Sequence, residues 1–239
     1  MYKKDEMNLW IRTPLESNKF FIVSWRMAGS EFCKELIREN YPQTQNINHW
    51  GKSHTTLDSK YVSDLLNVGT KVFVAITDPR EVAMNLFYFD NGLHLHDSDY
   101  KNATCKVDKQ LGIEPNFIDL LNDVTDKQIE LINTYKEQFG DNCIIVRYED
   151  ALYYQNKFHN KVSKFLKTTP IGIDEVTKYK WSIYKNVGDF NQFFDENDLH
   201  KHYNQYKSFY EKWEYPKEGL QLLKYDWHGK TWVIGEDEL

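Results

Sequence analysis

The amino-acid sequence predicts an α/β fold, a parallel sheet covered by helices on both faces, and three observations predict it. Apolar runs recur at Phe20 to Ser24, Lys71 to Thr77 and Cys143 to Val146. The first two each pass through turn-forming residues into helical spacing, and a helical stretch ends just before the third. Strands alternating with helices in this way give a parallel sheet.

In chain order, Phe20 to Ser24 is a strand, Gly29 a tight turn, and Phe32, Leu36 and Ile37 the apolar face of a helix. A weaker extended stretch around Ile47 to His54 precedes a helical pattern at Tyr61, Leu65, Leu66 and Val68. Lys71 to Thr77 is rich in β-branched residues and closes at Asp78-Pro79, and Val82, Ala83, Leu86 and Phe89 then share a helical face. From Thr125, Ile129, Ile132 and Phe139 mark a helix that Gly140 ends before the strand at Cys143. Tyr203, Tyr206, Tyr210 and Trp213 follow at helical spacing, and Lys224 to Ile234 reads as a hairpin turning at His228-Gly229. With no repeat, low-complexity segment or linker, residues 1–239 are expected to form one domain.

The 30 basic and 36 acidic residues leave a net charge of −6, so the overall field draws in neither nucleic acid nor an anionic membrane. An anionic ligand needs a local basic pocket. Cys33, Cys105 and Cys143 are odd in number and too far apart for a CxxC pair, which fits a reducing compartment. Met1 to Glu16 lacks the apolar core of a secretion signal and no stretch approaches a membrane span, so the expected location is cytoplasmic and the sequon at Asn102 unused.

In a parallel sheet, ligands bind beyond the carboxyl ends of the strands, where Ser24–Ser30, Lys52–His54, Thr77–Arg80 and Arg147–Asp150 are expected to converge. Gly29 and Ser30 stand where a strand enters a helix, and exposed amides at the positive end of a helix dipole hold phosphate. Glu31, in the same turn, opposes an anion. Gly51-Lys52-Ser53 is like the end of a Walker A loop, but Asn46 replaces its first glycine and no clear strand precedes it, which rejects an ATPase. Lys52 and His54 alternate, so an extended chain points both the same way. A histidine can take a proton near neutral pH and an ammonium can stabilise a leaving oxygen. The same residues also suit a solvated polar loop.

Four segments, in order, resemble the sulfotransferase family that uses 3′-phosphoadenosine 5′-phosphosulfate. Gly29, Ser30 and Phe32 match its 5′-phosphosulfate loop P-[KR]-S-G-[ST]-x-[WF], and Lys52-Ser53-His54 resembles its K-[ST]-H strand end. Thr77-Asp78-Pro79-Arg80, continuing to Asn85, is similar to its 3′-phosphate motif R-D-P-R-D-x-x-x-S, and Val146 to Asp150 to its V-R-Y-E-D. Val187-Gly188-Asp189-Phe190 resembles the end of R-K-G-x-x-G-D-W. The resemblance spans roughly residues 18 to 195 and implies a P-loop-like three-layer sandwich.

It further implies that an acceptor hydroxyl or amine, on a small molecule or glycan, attacks the sulfuryl group and that adenosine 3′,5′-bisphosphate departs. His54 would be the general base and Lys52 would assist at the sulfuryl or bridging oxygen. Ser30 and the Gly29 amide, in one turn with Arg26 and Ala28, would hold the 5′-phosphate, and Tyr148 would lie near the adenine. No metal is implied. Against the family pattern, Met27 stands at the loop's basic position, Thr77 at the first arginine, Asn85 at the serine, and Ile183-Tyr184-Lys185 at R-K-G. Arg26, Arg80 and Lys185 are near enough in sequence to compensate, and Asn85 can donate through its amide. The alternative is a binding protein of the same fold that has lost tight donor binding.

His94 and His96 suggest a metal cluster, but no ligand set with a recognised spacing completes it, so a polar loop is expected there. His200 and His202, two apart on a helix, are expected in solvent. Arg147, Glu149 and Asp150, at a strand end, suit either a structural ion-pair network or a direct role in catalysis.

Overall fold

The computed structural model describes residues 18–26, 28–46, 59–90, 117–171 and 194–219. The chain divides into two compact units, Met1–Thr77 with Lys127–Tyr179, and Asp78–Asp126 with Lys180–Leu239.

The first unit holds a four-stranded sheet of β1 (Asn18–Ser24), β2 (Thr44–Asn46), β3 (Lys71–Ile76) and β4 (Cys143–Arg147), in the order β2-β1-β3-β4. Every pairing is parallel. Its helices are α1 (Ser30–Asn40), α2 (Ser59–Asn67), the part of α4 (Phe117–Phe139) from Lys127 onward, α5 (Tyr148–Tyr153) and α6 (Gln155–Leu166). To the second unit belong α3 (Pro79–Asp90), the start of α4, α7 (Glu196–Gln205) and α8 (Lys207–Lys212).

The strands form where β-branched and aromatic residues can be buried on both sides. Ile22 stands beside Phe73 and Phe73 beside Ile144, on the face with Phe20. The Phe73 ring meets Phe165 of α6 edge-on at 5.2 Å. On the opposite face Phe21 meets Phe139 of α4 at 5.7 Å. Helices therefore cover both faces of the sheet, and Val72 to Ile76 are fully buried between them. This is the α/β architecture with a central parallel sheet flanked by helices that the sequence predicts.

Several boundaries differ from expectation. α4 begins at Phe117, not near Thr125. α6 is an element not anticipated from sequence, although Phe158, Val162 and Leu166 recur at helical spacing and are all buried. The aromatic stripe runs over two helices that break at Tyr206. The Ile47 to His54 stretch and the hairpin from Lys224 lie outside the described residues.

Tyr41, the residue after α1, ties the end of that helix to α6 through a largely buried network. The Tyr41 hydroxyl donates to the His159 carbonyl at 3.1 Å or shares its proton with His159 Nδ1 (3.1 Å) and Ser163 Oγ (3.0 Å). Burial raises the Tyr41 phenol and lowers the His159 imidazole, so both stay neutral and hydrogen-bonded.

Candidate functional site: the carboxyl edge of the parallel sheet

Parallel pairing sets the carboxyl ends of β1, β3 and β4 side by side, with Ser24 beside Ala75 and Ile76 beside Arg147. The turn after β1 closes through the Ala28 amide, which donates to the Trp25 carbonyl at 3.2 Å. Ala28 is fully buried and Arg26 is exposed. Gly29 then takes a left-handed conformation (φ 74°, ψ 16°) as the residue before α1, and, having no side chain, it makes no capping hydrogen bond to that helix. The Gly29 carbonyl accepts the Cys33 amide at 3.2 Å, and the amides of a helix's first turn, which have no partner within the helix, lie at the positive end of its dipole. Ser30 opens the helix and is partly exposed.

Tyr148, the first residue of α5, packs on this turn. A Cβ at position 29 would fall 2.2 Å from its ring, so a glycine is required for contact as well as for backbone angle. The same ring meets Phe32 edge-on at 5.6 Å. Two residues expected to share a site, Gly29 and Tyr148, are thus in direct contact.

Thr77 lies one residue past β3, where Gln128 of α4 clamps its backbone. The Thr77 amide donates to Gln128 Oε1 at 3.2 Å and Gln128 Nε2 donates to the Thr77 carbonyl at 3.0 Å. The side-chain amide extends the strand by one rung. Gln128 is not among the residues singled out from sequence. Its signal is a polar residue on the apolar stripe of Leu121, Val124, Leu131, Ile132 and Tyr135, and it is fully buried. The Thr77 hydroxyl is buried with no hydrogen-bond partner among the described residues.

At the end of β4 Arg147 pairs with both carboxylates at long range, Nε to Glu149 at 3.9 Å and NH1 to Asp150 at 3.8 Å, and Lys157, not anticipated from sequence, lies 3.6 Å from Asp150. Burial, then Glu149 and Asp150, raise the Cys33 thiol on α1 far above its ordinary range. Cys33 is therefore an inert thiol, and the two carboxylates act against an anion at the same helix.

In the second unit, Arg80 is buried and its guanidinium is committed within the protein. Nε and NH2 donate to the two Asp78 carboxylate oxygens at 2.9 and 2.6 Å, NH2 also to the Pro216 carbonyl at 2.8 Å, and NH1 to the Lys217 carbonyl at 2.7 Å. It also lies 4.9 Å from the centre of the Tyr210 ring. Burial lowers such a group, but the Asp78 charge more than offsets this and holds Arg80 above its ordinary range. In this arrangement Arg80 organises the second unit's own packing. Asn85, further along α3, is buried.

His200 is exposed as expected, but His202 is 1% exposed, which corrects the solvated reading. Hydrogen-bond partners on α4 and α8 make its burial tolerable. Lys52, His54, Lys185, His94, His96 and the segment around Gly188 lie outside the described residues. Among the described residues no cluster of His, Cys, Asp and Glu could hold a metal, and no helix is long and apolar enough to cross a membrane.

No family model matches the chain, and no curated protein does. Among solved structures, the crystal structure of mouse sulfotransferase SULT7A1 complexed with PAP is similar over 90% of this chain and 91% of that chain, at 11% identity and a TM-score of 0.49. The α/β assignment stands on the strand order and the helices on both faces.

Proposed function

We propose that this chain is a sulfotransferase that moves a sulfuryl group from 3′-phosphoadenosine 5′-phosphosulfate to a hydroxyl or amine of a small-molecule or glycan acceptor. The observation that carries this reading is the left-handed Gly29 turn into helix α1 at the carboxyl edge of a parallel sheet. It coincides with the segment that resembles the family's 5′-phosphosulfate loop. The buried Thr77 hydroxyl, which has no hydrogen-bond partner among the described residues, is an unused polar group at the same edge.

The donor supplies an activated sulfuryl group, whose bond to the 5′-phosphate breaks as the acceptor oxygen or nitrogen bonds to sulfur. In this reading the first-turn amides of α1 and Ser30 hold the 5′-phosphate, with Arg26 adding positive charge. His54 takes the acceptor's proton and Lys52 stabilises charge on the bridging oxygen. Both roles rest on the motif match. As in phosphoryl transfer, the chain contributes positioning and charge rather than a covalent intermediate.

A second reading, a non-catalytic binder of the same fold, draws on the commitment of Arg80 to Asp78 and on the two carboxylates near α1. A sulfuryl-transfer assay over a broad acceptor panel separates the two. The first reading expects turnover that falls about 10²- to 10⁴-fold in His54→Ala, the range for loss of a general base, with binding of the bisphosphate product retained. Absence of both turnover and tight product binding favours the second, which has lost tight donor binding, and tight product binding without turnover overturns both.

A further inference from the structure

We propose that His202 is an acid-sensitive latch: in its neutral form it ties the helix pair α7 and α8 to α4, and its protonation releases them. The position of its proton follows from its partners. The Thr125 hydroxyl lies 2.7 Å from the Leu121 carbonyl, which can only accept, so Thr125 donates there. At 3.1 Å from His202 Nε2 the Thr125 oxygen must then accept, and Nε2 carries the hydrogen. Nδ1 of the neutral ring is left as a lone pair, which accepts from the Tyr210 hydroxyl at 3.1 Å. The chain of donors runs Tyr210 to His202 to Thr125 to Leu121 and joins α8, α7 and α4 through one imidazole.

A proton added at Nδ1 opposes the Tyr210 donor, and Tyr210 is fully buried, so water does not take up the displaced hydrogen. The surrounding charges also resist an imidazolium. From the α3 side, Arg80 sits over the Tyr210 ring at 4.9 Å, and Asp78, the favourable counter-charge, is already engaged by Arg80 at 2.6 Å. From α4, Asp126 acts on Tyr206, whose ring lies 4.6 Å from the imidazole. Burial first, and Arg80 second, lower His202 to about 4, against weaker opposing effects of Asp78 and of the Leu121 backbone.

The sign follows from proton uptake. Between the ordinary value of 6.5 and about 4 the released state binds a proton that the latched state does not. The latch is at full strength above that window and weakens as pH falls through it, by at most about tenfold in the opening equilibrium per pH unit.

Hydrogen exchange on the full chain tests this. After correction for intrinsic rates, protection of residues 199–210 is expected to fall up to about tenfold per pH unit below pH 6. Amides of β3 should change less, and His202→Gln should be flat over the same range. Nitrogen NMR at pH 7 should show the Nε2–H tautomer. A second variant, Tyr210→Phe, removes the donor that guards Nδ1 and should move the midpoint to higher pH. The proposal is overturned by an Nδ1–H tautomer, by equal pH slopes in the native and His202→Gln chains, or by an unmoved midpoint in Tyr210→Phe.

Discussion

Gly29→Ala is expected to destabilise the first unit by about 2–5 kcal/mol. Two costs combine. A left-handed backbone (φ 74°) costs an L-residue about 1–2 kcal/mol, and overpacking typically costs a further 1–3 kcal/mol. Overpacking applies because the new methyl would meet ring and Cβ atoms of Tyr148 at 2.2 to 3.0 Å, not the end of a flexible chain. Gly69→Ala separates the two, since Gly69 has φ 69° but nothing within 4 Å of its added Cβ. It should cost only the backbone share, about 1–2 kcal/mol. Denaturant titration of both variants measures the difference, and equal losses would contradict the packing of Tyr148 on the turn.

Arg80→Ala is expected to cost about 3–5 kcal/mol, the range for breaking a buried ion pair from one side. The substitution removes the counter-charge from a buried carboxylate and two donors from the Pro216 and Lys217 carbonyls. Arg80→Lys should recover little, because an ammonium cannot make the paired contacts to both Asp78 oxygens at 2.9 and 2.6 Å. In an Asp78→Ala background the same Arg80→Ala change should cost markedly less, as the stranded carboxylate is gone. Thermal unfolding of the four chains gives the coupling, and additive losses would mean that the pair is not a unit.

The strands were legible because β1, β3 and β4 are short apolar runs whose burial on both faces leaves a local mark. The Gly29 turn was legible for a similar reason: its requirement for a left-handed residue is local. Arg80 was not, since two of its partners, the carbonyls of Pro216 and Lys217, lie 136 and 137 residues away and carry no side-chain signal. His202 was misread because its spacing to His200 says nothing about Thr125 and Tyr210, the groups that make a buried imidazole tolerable. Gln128 shows the opposite case: a lone polar residue on an apolar helical stripe is visible in sequence, yet its partner, the backbone of Thr77, is not.

The central claim is that the α1 turn binds the anion of a nucleotide donor, and calorimetric titration with adenosine 3′,5′-bisphosphate tests it most directly. The native chain should show saturable binding. Ser30→Ala, which removes one hydroxyl at the start of α1, should weaken it about 10- to 100-fold, the equivalent of about 1.5–3 kcal/mol for a hydrogen bond to a charged group. No saturable binding by the native chain, or the same affinity in Ser30→Ala, would contradict the account.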